Sequence, residues 1–307
     1  MLFIPHKHLY ISGTSYVSAD EPDYKEVITD ANSRRRMGRL LKMAVWCGLK
    51  SLDGVPSERV AGIITSTGAG FMKDTISFGS SIFDREETLL NPSPFMQSTF
   101  NTASGYIALI RKIHAYNTTY VQQADGFAAS LVDAAMLLDD AGEGNVALVG
   151  AFDEVTPEVD VIRQRLGLYR VGDGFLPLGE GAAAFLLSTA MPTDVSESSS
   201  EPLHDSGGTS SRSLNGTKDG NAALQFCGLA NLSDLPKCAE NPIAELFGIN
   251  AGVNVISCAD HVESLGAFRS MLPVLLCKLI SEQQIPDGYT AIVDDVNDDG
   301  VIVLLHK

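Results

Sequence analysis

The stretch "TTYVQQADGFAAS", residues 118–130, decides how the chain is read. Thr118–Val121 are β-branched or aromatic, as in a buried strand, and Gly126–Ser130 open a helix of small residues. Many enzymes place a nucleophile where a strand turns tightly into a helix, because the helix N-terminus favours negative charge. Here the turn carries Gln122, Gln123, Ala124 and Asp125. A glutamine amide nitrogen is delocalised and essentially non-basic, so the platform holds no effective nucleophile.

The neighbouring segments place this platform in a layered α/β fold. Residues 33–50 set Met37, Leu40, Leu41, Ala44 and Val45 at helical spacing, and "VAGIITST" (60–67) is a buried strand. Helical spacing resumes in "FMKDTISFGSSIF" after Gly68 and Gly70, and again over 98–116 and about 126–141. Strands are predicted at 145–151 and 182–188, continuous apolar runs of the kind found in a sheet covered on both faces. Residues 189–213 are rich in Ser, Thr, Pro and Gly and read as a flexible polar linker. Beyond it come a polar turn (215–221), helical segments to about 248, a strand (252–258) and a helix (262–280) that Pro273 should kink. Two final strands join through Asn297–Gly300. The expected division is a first half, 1–188, the linker, and a shorter second half, 214–307.

Composition bounds the function. Hydrophobic content of 45% and charged content of 20% are those of a globular protein. A net charge of -16 argues against nucleic acid as the main partner, since phosphates need clustered Lys and Arg. The one basic cluster, "SRRRMGRLLK" (33–42), is either a solvated helix face or a contact for an acidic partner. Five cysteines without CxxC pairing read as reduced thiols in a cytoplasmic protein. No signal peptide or membrane span is expected. No His, Cys or Asp spacing supports a metal, and no cofactor is expected.

Four segments, in order, resemble the β-ketoacyl synthases of the thiolase fold: "VQQADGFAASLVDAAMLL" (121–138), "VALVGAFDEVTPE" (146–158), "LGEGAAAFLL" (178–187) and "HVESLGAFRSMLPVLL" (261–276). The resemblance implies a layered αβαβα fold of two related halves, here with the second shortened. In that family a cysteine thiolate at the helix N-terminus takes the acyl chain, two histidines stabilise the enolate left by decarboxylation, and backbone N–H groups hold the oxyanion. Matched position by position, Gln123 stands where the family has its cysteine, Asn215 replaces the first histidine and His261 matches the second. Ile256 takes the place of the lysine, and "VNDDG" (296–300) that of the terminal glycine-rich loop.

Gln123 in this turn resembles chain-length factors, non-condensing partners of active ketosynthases. That resemblance implies a heterodimer with a ketosynthase, or a homodimer, served by an acyl carrier protein. It also implies tunnel-facing residues on the helix after "STGAG", with Ala69, Phe71, Met72, Thr75 and Phe78 as candidates. The same Phe and Met spacing fits plain core equally. Other readings stay open. Gln123 either plugs the old site or polarises a malonyl carbonyl, as in a malonyl-carrier-protein decarboxylase using Gln123 and His261. His261 is a retained core residue or a base, and the chain could be a catalytically dead homodimeric scaffold. Asp125, Asp219 and Asp260 are candidate helix N-caps. Cys258, three residues before His261, follows a buried strand rather than opening a helix, so it lacks a helix-terminus thiolate's setting.

Overall fold

In the computed structural model, residues 1–122, 125–191, 223–297 and 300–307 are described. Gln123, Ala124, Asn215, Asp219 and most of the 189–213 segment lie outside them. The strands are β1 (Leu2–Phe3), β2 (Leu9–Val17), β3 (Val60–Thr67), β4 (Tyr116–Val121), β5 (Val146–Asp153), β6 (Arg170–Val171), β7 (Gly174–Phe175), β8 (Gly181–Ser188), β9 (Gln225–Asn231), β10 (Val253–Ser257), β11 (Tyr289–Val293) and β12 (Val301–His306). The helices are α1 (Ala31–Arg36), α2 (Arg39–Ser51), α3 (Met72–Asp84), α4 (Pro92–Ser98), α5 (Thr102–Arg111), α6 (Asp125–Asp140), α7 (Pro157–Leu166), α8 (Pro242–Leu246), α9 (Val262–Leu265) and α10 (Met271–Ser281).

The main sheet runs β10-β11-β12-β9-β2-β8-β5-β3-β4, with β1 beside β9. It divides into two arrays, β4-β3-β5-β8-β2 and β10-β11-β12-β9. They meet through a short antiparallel contact, Leu9 with Phe226 and Tyr10 with Gln225. In each array the last strand runs antiparallel to both neighbours, as β8 does between β5 and β2 and β12 does between β11 and β9. Among the described residues the second array has one strand fewer, with nothing beyond β10 to match β4.

Alternation along the strands builds the layers. On β8, Ala183, Phe185 and Leu187 face a core formed with α6 and α10, while Ala182, Ala184 and Leu186 face another with α2 and α5. On β12, Val301, Val303 and Leu305 meet the same α6–α10 core, and Ile302 and Leu304 pack under Ile243 and Phe247 of the α8 segment. The result is helix, sheet, helix, sheet, helix, with α6 and α10 in the middle. Strands buried on both faces are continuously apolar for that reason.

Several segments differ from the sequence expectation. The helix over 33–50 is interrupted at Met37–Gly38, where the Gly38 N–H is taken by Gln97 Oε1 at 2.8 Å. Residues 225–231, expected to be helical, form β9. The 262–280 helix is two helices, because Gly266 takes φ +75° and ends the first. Pro273 then falls in the first turn of α10, where no intrahelical partner for an N–H is lost, so it imposes no kink.

That break has a tertiary cause. The Ala267 N–H donates to Pro177 O at 2.7 Å and the Gly179 N–H to Ala267 O at 3.2 Å, so the 177–179 and 265–267 backbones cross side by side. A Cβ on Gly179 would overlap the Leu265 carbonyl, and one on Gly266 would overlap Gly179 itself. The glycines of "LGEG" and "SLGAF" therefore permit a backbone crossing between the two halves. Gly179→Ala should lower stability by about 3 kcal/mol or more, since backbone cannot repack around the new methyl. A urea midpoint close to that of the parent protein would show the crossing to be loose.

Candidate functional site

A cavity of about 200 Å³ opens between the halves at the C-terminal ends of β3 and β5. Its walls come from Ala69 and Met72 after β3, Val159 and Ile162 of α7, Leu178 before β8, and Phe268 before α10. They are mainly apolar, and Ile162 and Leu166 of α7 are exposed.

The polar groups in these walls are tied down. Asp153, at the end of β5, is buried. Its Oδ1 accepts hydrogen bonds from Thr67 Oγ1 at 3.0 Å and from the Gly68 and Ala69 N–H groups at 2.9 and 3.1 Å. Its Oδ2 accepts from Ser270 Oγ at 2.5 Å. Burial pushes the Asp153 carboxyl above the usual range, against the opposing pull of these donors. Glu154 Oε1 accepts from the Lys73 N–H at 2.9 Å at the start of α3, and Glu180 Oε2 accepts from the Val155 N–H at 3.2 Å. Arg163 pairs with Asp160, donates to Leu176 O at 2.7 Å and lies over the Phe175 ring.

The second half repeats this device. "FDEV" (152–155) ends β5 and "VDDV" (293–296) follows the corresponding positions of β11. Asp294 is buried and accepts from the Asn297 N–H at 3.1 Å and from Asn297 Nδ2 at 2.7 Å. Asp295 accepts from the Ala259 N–H at 2.9 Å, as Glu154 does from Lys73. Each acidic pair thus fastens the segment leaving the adjacent strand, β3 in one half and β10 in the other. The acidic pairs act here as structural clasps. Sequence reading passed over Asp153 because nothing in the pattern marks it as buried; the internal match of 152–155 with 293–296 was the available signal.

The expected site residues are dispersed. Ala69 and Met72 line the cavity. Phe71 is only 1% exposed and stacks on Phe152 with centroids 5.2 Å apart, in the core beneath α2. Thr75 is exposed and donates to Phe71 O, and Phe78 packs against Phe95. His261 is half-buried in a 3-10 turn before α9; its ring has no hydrogen-bond partner among the described residues, and it is not among the residues lining the cavity. Asp125 opens α6 and Asp260 lies within the 3-10 turn, whose N-cap is Cys258. Ile256 packs against the central core. Among the described residues no acidic, His or Cys cluster could hold a metal, and no helix is long and apolar enough to cross a membrane.

None of the buried or half-buried cysteines sits in a setting that makes a nucleophile. Cys47, Cys258 and Cys277 are buried, and burial pushes their thiols far up. Cys227, half-buried, is pushed up to about 11. In native protein at pH 8, iodoacetamide should alkylate exposed Cys238 first and leave Cys47, Cys258 and Cys277 untouched, as read by peptide mass spectrometry. Rapid labelling of Cys258 would reinstate it as a reactive group beside His261.

Asp153 also gives stability a pH dependence of definite sign. The native state holds this proton more tightly than the unfolded chain, so the contribution is complete below about pH 4 and is lost as pH rises through the raised native value. Asp153→Asn should flatten that part of the stability profile. An unchanged slope would show that the carboxyl is not perturbed.

The geometry is matched by known proteins. The beta-ketoacyl synthase N-terminal domain family matches residues 14–202, more than half of the chain. No curated protein sequence matches. Among solved structures, the ishigamide ketosynthase/chain length factor aligns with a TM-score of 0.66 and 15% identity, over 97% of this chain and 99% of that one. A type II polyketide acyl-carrier protein in complex with its ketosynthase gives 0.66 and 15%, over 98% and 99%. A beta-ketoacyl synthase from Burkholderia phymatum gives 0.63 and 11%, over 97% and 98%. These likenesses establish the ketosynthase fold, and the family match completes the assignment: the chain belongs to the beta-ketoacyl synthase family.

Proposed function

We propose that the chain is a non-condensing, chain-length-factor-like subunit that pairs with an active ketosynthase and shapes the cavity in which an acyl chain grows. The observation that carries this reading is the open edge of the first array. Strand β4, which ends at Val121 just before Gln123 in sequence, has β3 on one side and, among the described residues, no strand on the other. Its ends, Tyr116 and Val121, are exposed, and so are Leu109 of α5 at 74% and Met136 of α6 at 60%. An unpaired edge flanked by apolar side chains is a surface suited to a partner chain. Further exposed apolar residues, Phe83, Leu89, Phe95 and Met96, follow along α3 and α4, and no side chain of α3 is buried.

The lack of condensing chemistry supports the same reading. Gln123 occupies the cysteine position, Asn215 and Ile256 occupy those of a histidine and the lysine, and the buried thiols offer no substitute. Arg35 and Arg36, exposed at the C-terminus of α1 on a chain of net charge -16, give an acidic carrier protein a local docking point. Ala69 and Met72 are the residues best placed to set cavity length, whereas Phe71 belongs to the core.

Co-expression with the cognate ketosynthase should yield a stable heterodimer, and Val121→Lys should weaken pairing by about tenfold or more. Ala69→Phe should shorten the product by filling the cavity. A chain that binds no ketosynthase, with products indifferent to Ala69, would overturn the proposal. Incubation with malonyl-carrier protein should leave the thioester intact; its loss would instead support the decarboxylase reading through Gln123 and His261.

A further inference from the structure

Between α7 and β8 the chain makes a small two-stranded hairpin, β6 with β7, separate from the main sheet. All four of its strand residues are exposed, Val171 at 60%. Its trailing end is fixed, because Pro177 O and Leu178 are held by Ala267 in the crossing described above. Its leading end is Gly167, at φ +70°, where an added Cβ would meet nothing within 4 Å. The hairpin base is closed by the Leu176 N–H donating to Tyr169 O at 2.9 Å.

Its fastenings to the body lie at the cavity. Leu168 and Tyr169 form part of the cavity wall, facing a wall that includes Phe268 and Arg269. The Tyr169 hydroxyl donates to Asn297 Oδ1 at 2.9 Å, reaching across to the second half, and the Arg269 guanidinium lies 5.7 Å from the Tyr169 ring centroid. Asn297 is buried and held in turn by Asp294. On the other flank, Arg163 lies 5.0 Å from the Phe175 ring centroid and donates to Leu176 O. Tyr169 has φ +59°, a left-handed conformation that an aromatic residue adopts only when its surroundings impose it.

We infer that residues 168–176 are a flap over the rim of the cavity, hinged at Gly167 and latched by the Tyr169–Asn297 hydrogen bond and the Phe175–Arg163 stack. Closed, the flap completes the cavity wall with Leu168 and Tyr169. Opening breaks the contacts at its two edges, and release of Tyr169 from its left-handed backbone undoes the Leu176 N–H bond to Tyr169 O and favours the open state, while the crossing at Ala267 stays intact. A small apolar ligand enters when the latch is broken. The inference needs the cavity but not pairing with a ketosynthase, so the two can fail separately.

The test uses the full chain and two variants, Tyr169→Phe, which removes the hydroxyl, and Phe175→Ala, which removes the stack. Amide hydrogen exchange at Leu176 should quicken about three- to tenfold in each variant, the range set by losing one hydrogen bond or one cation–π contact, with exchange in β5 unchanged. Nile red, as an apolar probe of the cavity, should associate faster with the variants by a similar factor. Unchanged exchange at Leu176 in both variants would overturn the flap, as would acceleration spread equally through β5, which would mark general destabilisation.

Discussion

The hydrogen bonds to the Asp153 carboxylate hold together the parts on which the site depends. A carboxyl group removed from water is costly unless donors surround it, and here they come from the turn after β3 and from Ser270 at the start of α10. One acidic group at the end of one strand thus positions the cavity's floor in the first half and a helix of the second. Hydrogen bonds to a charged acceptor contribute about 1.5–3 kcal/mol each, and although several converge here, burial still outweighs them and keeps the carboxyl above its usual range. The turn after β3 therefore cannot shift without exposing Asp153 to unsatisfied burial, and the cavity wall at Ala69 and Met72 inherits that rigidity.

The same solution appears at Asp294, in the second half, with Asn297 supplying the donors. The two halves thus share strand order, layer arrangement and a clasp, although, β1 apart, the second has one strand fewer among the described residues. Asn297 belongs to both the clasp and the latch, since its Oδ1 accepts from Tyr169 and Arg269 while its Nδ2 donates to Asp294. The clasp fixes one end of a hydrogen bond whose other end sits on the hairpin, so a rigid element and a mobile one meet at a single amide. That amide has no spare capacity: loss of the Tyr169 hydroxyl leaves Arg269 as its partner, which keeps the open state from leaving Asn297 unsatisfied.

Much of the first array was legible in sequence because strands covered on both faces must be apolar throughout. Residues 60–67, 145–151 and 182–188 are largely apolar runs of that kind. β2 and β9 did not, since Gly13 and the polar ends of "QFCGLAN" break the run, and their place at the junction of the arrays is a tertiary fact. The helix over 262–280 was misjudged for a related reason: its periodicity is real, but Gly266 is bent by a backbone packed against it from a segment almost ninety residues earlier. Helical spacing after β3 grouped Phe71 with Met72, yet only a known core could separate them. The family motifs were readable as strings, while the physical role of "DE" and "GEG" as clasp and crossing needed coordinates.

On the proposed non-condensing reading, the crossing and the clasps also explain how such a platform outlives its chemistry. The contacts that shape the cavity are backbone hydrogen bonds, carboxylate clasps and apolar packing. On the proposed reading, glutamine at position 123 removes the nucleophile while these contacts remain. The packing that presents β4 at the sheet edge is equally independent of the nucleophile, since α5 and α6 hold it through their own cores. On that reading catalysis and association are separable in this architecture: the first can be lost while the packing that presents β4 persists.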